Sequence, residues 1–117
     1  MSNFDIENYI KKLKIKHFRG VFMKDELPKK PRDIECGIIN LENHDQLGSH
    51  WVAYYKQGKI SNYFDSYGNA PPPLELQTYL KNSDIYYNKE RFQDYDDLPI
   101  CGYLCLHFLF VINGKIY

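Results

Sequence analysis

Four residues of this chain stand in an order that can carry out acyl transfer: His50, Asp65, Gln93 and Cys101. They supply a base, an orienting acid, an amide donor and a thiol nucleophile. Acyl transfer through a cysteine needs these parts and few others. Cys101-Gly102 opens the last apolar segment, whose composition predicts a helix over residues 101–113 with Gly114 as its C-cap. A cysteine in the first turn of a helix sits at the positive end of the dipole, beside unpaired N–H groups. That placement lowers a thiol's pKa and favours the reactive thiolate. Gly102 lets a substrate backbone come close, and the N–H groups at this turn form half of an oxyanion hole. Gln93, eight residues earlier in a polar loop, can supply the other half through its side-chain amide.

A hairpin is the element that must position the base and the acid. Residues 50–56 (HWVAYYK) and 59–65 (KISNYFD) both read as strands rich in aromatic and β-branched residues. Gln57-Gly58 lies between them as a two-residue loop. In that register Lys56 faces Lys59, Tyr54 faces Ser61, Val52 faces Tyr63 and His50 faces Asp65. Directly opposed residues have Cβ atoms roughly 4.5–5.5 Å apart, so the carboxylate can reach the imidazole and fix its tautomer. Taken alone, such a pair is as often a surface contact; a cysteine at a helix start shifts the balance. On this register Trp51, Ala53, Tyr55, Ile60 and Phe64 share the opposite, buried face. Val52, Tyr54 and Tyr63 lie on the catalytic face and are expected to pack near the Cys101 helix or to line the cleft.

The remaining elements follow from periodicity. Residues 4–14 show near-helical apolar spacing. Residues 18–32 read as irregular, because Pro28 and Pro31 interrupt regular structure. Residues 36–41 (CGIINL) form a buried strand candidate. Three prolines, Pro71 to Pro73, lead into a helix over residues 74–81, and residues 85–88 form another strand. The final helix is apolar nearly all round and is expected to be buried. Cys36 and Cys105 read as small buried hydrophobes. Cys101, Cys105 and His107 do not share one helix face, so no metal site is assigned. His17 and His44 read as solvent-facing, and His107 as packed on the helix.

Composition sets the outer bounds. With 117 residues, 44% apolar and 16% aromatic, the chain fits one globular domain spanning residues 1–117. Formal net charge is zero, which argues against a dedicated polyanion binder. The charge is uneven: residues 1–35 carry nine Lys/Arg against six Asp/Glu, and the remainder reverses those counts. Most basic runs are solvated faces, but a DNA contact, if one exists, belongs to residues 11–32. The opening MSNFDIENYI lacks the pattern of a signal peptide, and the longest apolar stretch is too short to span a bilayer. Three cysteines in such a chain point to a reducing, intracellular setting with free thiols.

At this point the motifs carry a resemblance. GSHWVAYY, NYFDSYG with its proline run, a Gln ahead of the nucleophile, and CGYLCLHFL together resemble the adenovirus-proteinase (adenain) cysteine proteases. The similarity is to the branch encoded by Maverick/Polinton transposons and virophages, and FRGVFMKDELP…ECGIINL resembles its N-terminal part. That family is similar to the SUMO-protease group. The resemblance implies an α+β fold with a papain-like/adenain-like core, a small antiparallel-rich sheet packed against a buried helix that starts at the nucleophile. It makes His50 the base, Asp65 its orienting acid, Cys101 the nucleophile and Gln93 the oxyanion donor, the same four residues. Trp51, beside the base, is assigned to substrate binding. No cofactor is implied. The implied substrate is a viral or transposon capsid-type precursor, cut at Gly-containing sites during virion maturation. A ubiquitin-like-modifier (SUMO-type) protease and a catalytically idle binding module are the alternatives. Gln93 stands slightly further from the nucleophile than is usual in the family. The chain also ends sooner after its last helix than adenovirus enzymes do. Activation by a disulfide-linked peptide or by DNA is therefore not carried over.

Overall fold

A computed structural model describes residues 1–42, 50–93 and 100–116. The elements run α1 (Asn3–Leu13), β1 (Phe18–Met23), β2 (Ile34–Asn40), β3 (Trp51–Gln57), β4 (Ile60–Phe64), α2 (Leu74–Tyr79), β5 (Asp84–Tyr87) and α3 (Cys101–Ile116). The strands form one five-stranded sheet in the order β1-β2-β3-β4-β5. Its centre, β2-β3-β4, is antiparallel; each edge strand joins in parallel. The fold is thus α+β, a sheet packed against a C-terminal helix that starts at Cys101.

Local chemistry explains the element ends. Ser2 caps α1: its hydroxyl accepts from the Asp5 N–H, and the Asp5 carboxylate accepts from the Ser2 N–H. That reciprocal box satisfies two donors a helix start leaves open. Residues 18–23, read from sequence as irregular, are a strand instead. The two prolines lie beyond it, in the connection to β2, and FRGVFM itself has strand-forming residues. β1 has one neighbour and is half-buried throughout, so it lacks the alternating signal of an inner strand.

The hairpin is also corrected. Gln57 pairs with Ile60, Lys56 with Ser61 and Tyr54 with Tyr63. The turn is therefore Gly58-Lys59, with Gly58 at φ 60° in the first central position, where a glycine is favoured. This register differs from the expected one by two residues, so every side chain keeps its face.

The two faces build two cores. Trp51, Ala53, Tyr55 and Phe64 pack with Ile6, Ile10, Cys105, Leu106 and Leu109, that is, on α1 and α3. Val52, Tyr54 and Tyr63 pack instead with Leu76, Tyr79 and Leu80 around α2. This second set is buried around α2, so it neither packs on the Cys101 helix nor lines an open cleft. Ile60, at the hairpin tip, is exposed.

α3 also departs from expectation. It buries Cys101, Cys105, Leu106 and Leu109 but exposes Tyr103, Phe110 and Val111. His107 is exposed as well, and the helix runs through Gly114 rather than stopping there. A helix lying on one sheet face with a single helix beside it has only one side to bury, whatever its composition. His44 lies outside the described residues.

A buried carboxylate ties the sheet to α2. Glu35 is fully buried and accepts from Tyr54 Oη, Tyr79 Oη (2.8 Å), the Arg32 N–H (2.6 Å) and the Arg19 guanidinium (3.1 Å). A buried charge persists only with such a full set of partners.

Candidate active site

The site lies where β3 begins and β4 ends. His50 immediately precedes β3, and Asp65 immediately follows β4. Both lie just beyond the last β3-β4 pair, Ala53 with Phe64. His50 Nε2 meets Asp65 Oδ1 at 2.8 Å. A carboxylate only accepts, so Nε2 carries a hydrogen there, and in the neutral ring Nδ1 is the bare acceptor. Nδ1 is buried and has no partner of ordinary hydrogen-bond geometry.

Cys101 stands at the head of α3, nearly buried. The Trp51 N–H donates to its sulfur at 3.4 Å. One turn on, the Cys105 thiol donates to the Trp51 carbonyl at 3.3 Å. The residue after the base thus ties the head of α3 to the head of β3. The Leu104 N–H closes a helical bond onto the Ile100 C=O at 3.0 Å, so Cys101 and Gly102 stand in the first turn of the helix.

The electrostatics of the two groups are linked. Burial opposes a charge on His50, but the Asp65 hydrogen bond, the nearby Cys101 sulfur and their charges outweigh it, pushing the imidazole up to about 9. Burial likewise works against the Cys101 thiolate. The His50 contact, the Trp51 N–H, the imidazolium charge and the Gly102 N–H overcome it and hold the thiol below its ordinary value. Nearby opposite charges and donors favour the ionised forms of both groups. The other cysteines behave oppositely: burial pushes Cys36 up to about 12 and raises Cys105 strongly.

Gln93 is buried, and its Nε2 donates to Ser66 Oγ at 2.7 Å. The Ser66 carbonyl accepts from the N–H groups of Phe92 and Gln93. Gln93 is thereby held against the loop that carries Asp65. Trp51 is largely buried, and its Cδ1 lies 3.4 Å from where a Cβ on Gly102 would sit. The Met1 sulfur lies 2.7 Å from the same point, so any larger residue at 102 would displace a neighbour.

Sequence reasoning overlooked the residues that hold the acid. Asn88 donates to the Asp65 carbonyl (2.7 Å) and to the Glu90 carbonyl (3.0 Å), and its Oδ1 accepts from the Asp65 N–H (2.9 Å). The Tyr67 N–H donates to Asp65 Oδ1 at 3.0 Å, and its ring stacks on His50. The signal was present in Asp65-Ser66-Tyr67-Gly68, since Asp commonly accepts from the N–H two residues on.

No protein-family profile and no curated protein sequence matches the chain. Among solved structures it is similar to the SUMO protease Ulp1 with its catalytic cysteine oxidised to a sulfinic acid. The TM-score is 0.64 at 16% identity, over 98% of this chain and 67% of that one. This likeness shows that the two share a fold. Among the described residues no group of side chains is suited to hold a metal ion, and no helix is long and apolar enough to cross a membrane.

Proposed function

We propose that this protein is a small cysteine endopeptidase in which Cys101 is the nucleophile. The observation that carries the reading is the His50 ring: one nitrogen bonded to Asp65, the other unpartnered, with the Cys101 sulfur close enough to shift both titrations. In the cycle, His50 takes the Cys101 proton, or the two rest as an ion pair, and the thiolate attacks a peptide carbonyl. The oxyanion is met by N–H groups at the head of α3 and by Gln93. An amide nitrogen carries two hydrogens, so one on Ser66 leaves one for substrate. His50 then protonates the leaving amine, and water hydrolyses the thioester.

The sequence resemblance supports a capsid-type precursor, cut at Gly-containing sites, as substrate. A second reading, removal of a ubiquitin-like modifier, is favoured by the structural likeness to a SUMO protease. A thiol-reactive peptide electrophile ending in Gly is expected to label Cys101 alone, as mapped by peptide mass. Absence of labelling in the folded protein would remove the protease reading and leave a binding module. Parallel digests of a Gly-Gly-ended modifier fusion and a capsid precursor then separate the two substrate classes.

A further inference from the structure

Tyr67 touches both partners of the His50–Asp65 pair by different atoms. Its N–H donates to Asp65 Oδ1 at 3.0 Å, the oxygen that His50 Nε2 meets at 2.8 Å. Its ring lies on the imidazole, centroids 4.5 Å apart and planes inclined by 23°. One hydrogen bond at Nε2 leaves an imidazole free to swing about that bond. A ring stacked on its face blocks the out-of-plane swing and keeps Nδ1 aimed.

The stacking partner is itself held. The Tyr67 carbonyl accepts from Arg91 Nε at 3.3 Å, and the Gly68 N–H returns to the Asp65 carbonyl at 2.9 Å. Gly68 has φ 76°, and a Cβ there would come within 2.4 Å of the Glu90 carbonyl oxygen. The 65–68 turn is thus pressed onto residues 90–91, and Tyr67 cannot lift away from His50 without breaking that seat.

We propose that Tyr67 is a positioning residue for His50, fixing the plane of its ring and stabilising the imidazolium through the aromatic face. The proposal rests on the reading of Cys101 and His50 as a reactive pair and adds a residue to it. The face of an aromatic ring is electron-rich and favours a cation over the neutral ring. Among the described residues, the other charged or titratable groups acting on His50 are Asp65, at the end of β4, and Cys101, at the head of α3.

The test uses the whole protein and iodoacetate from pH 5 to 10, with carboxymethylation of Cys101 followed by peptide mapping. An anionic reagent reacts fastest with a thiolate that has an imidazolium beside it, so the rate falls when His50 loses its proton. Tyr67→Phe keeps the ring and should keep the wild-type profile. Tyr67→Leu keeps bulk without the aromatic face. Its upper limb should move down by about half to one pH unit, with the rate at pH 10 lower by about three- to ninefold. Superimposable profiles for wild type and a folded Tyr67→Leu would overturn the role of Tyr67 alone. Should Tyr67→Leu fail to fold, Tyr67→His, a stacking ring of weaker electron density, replaces it with the same expectation, and a wild-type upper limb in that variant would overturn the role of Tyr67. A wild-type Cys101 that is no faster than an ordinary thiol would remove the reactive pair itself, and this proposal with it.

Discussion

Cys101 and Cys105 sit one turn apart on the same helix and face opposite chemistry. Cys101 receives the Trp51 N–H and lies beside His50; Cys105 gives its hydrogen to a carbonyl in a dry core. Iodoacetamide at pH 6–7 should therefore modify Cys101 at least tenfold faster than Cys36 or Cys105 in the folded protein, read by peptide mapping. Equal labelling would sink the assignment. Cys101→Ala should abolish turnover while leaving the far-ultraviolet spectrum unchanged, because the residue lies at a helix end. Gln93 makes a separate claim at the same scale. Gln93→Ala should lower kcat by roughly tenfold to a thousandfold and leave Cys101 alkylation nearly unchanged. Full kcat in that variant would leave the backbone N–H groups as the whole oxyanion site.

At the scale of elements, side-chain alternation proved more robust than strand partners. A two-residue slip of the β3-β4 register moved the turn from Gln57-Gly58 to Gly58-Lys59, yet His50 and Asp65 still meet. They meet diagonally, beyond the last paired residues, where the sequence-based argument had them directly opposed. The residues that make this tolerable were illegible as partners, since Asn88 directly follows β5, and the parallel pairing of β5 with β4 that sets it beside Asp65 is a tertiary contact. The exposed face of α3 was illegible too: composition records apolar content but not how many neighbours a helix has. Asn88 offers a test at this scale. Asn88→Ala removes three hydrogen bonds around Asp65 and should cost about 1–3 kcal/mol, read as a lower urea midpoint with unchanged slope. Asn88→Asp should recover little, because it keeps the acceptor for the Asp65 N–H but loses both donated bonds and sets a second carboxylate beside the first.

For the whole molecule, the reactive pair should leave a signature in stability against pH. His50 is raised from 6.5 to about 9 in the folded state, so its contribution is fully present below pH 6.5 and is lost as pH rises through 9. Cys101 is lowered from 9.0, so its contribution is present above pH 9 and is lost as pH falls through its folded value. Between pH 6.5 and 9 the two trends oppose. Above the folded value of Cys101 and below pH 9, the unfolded chain holds its proton on the thiol and the folded chain on the imidazole, so the counts are nearly equal. In Cys101→Ala only the His50 trend remains, since Asp65 still holds Nε2. The difference in unfolding free energy, wild type minus Cys101→Ala, should therefore grow between pH 7 and 9 by on the order of 1–2 kcal/mol. Groups common to both proteins cancel in that difference, so urea melts at four or five pH values suffice. A difference that stays constant with pH would mean that Cys101 and His50 do not share a proton, and the nucleophile would then lack its base.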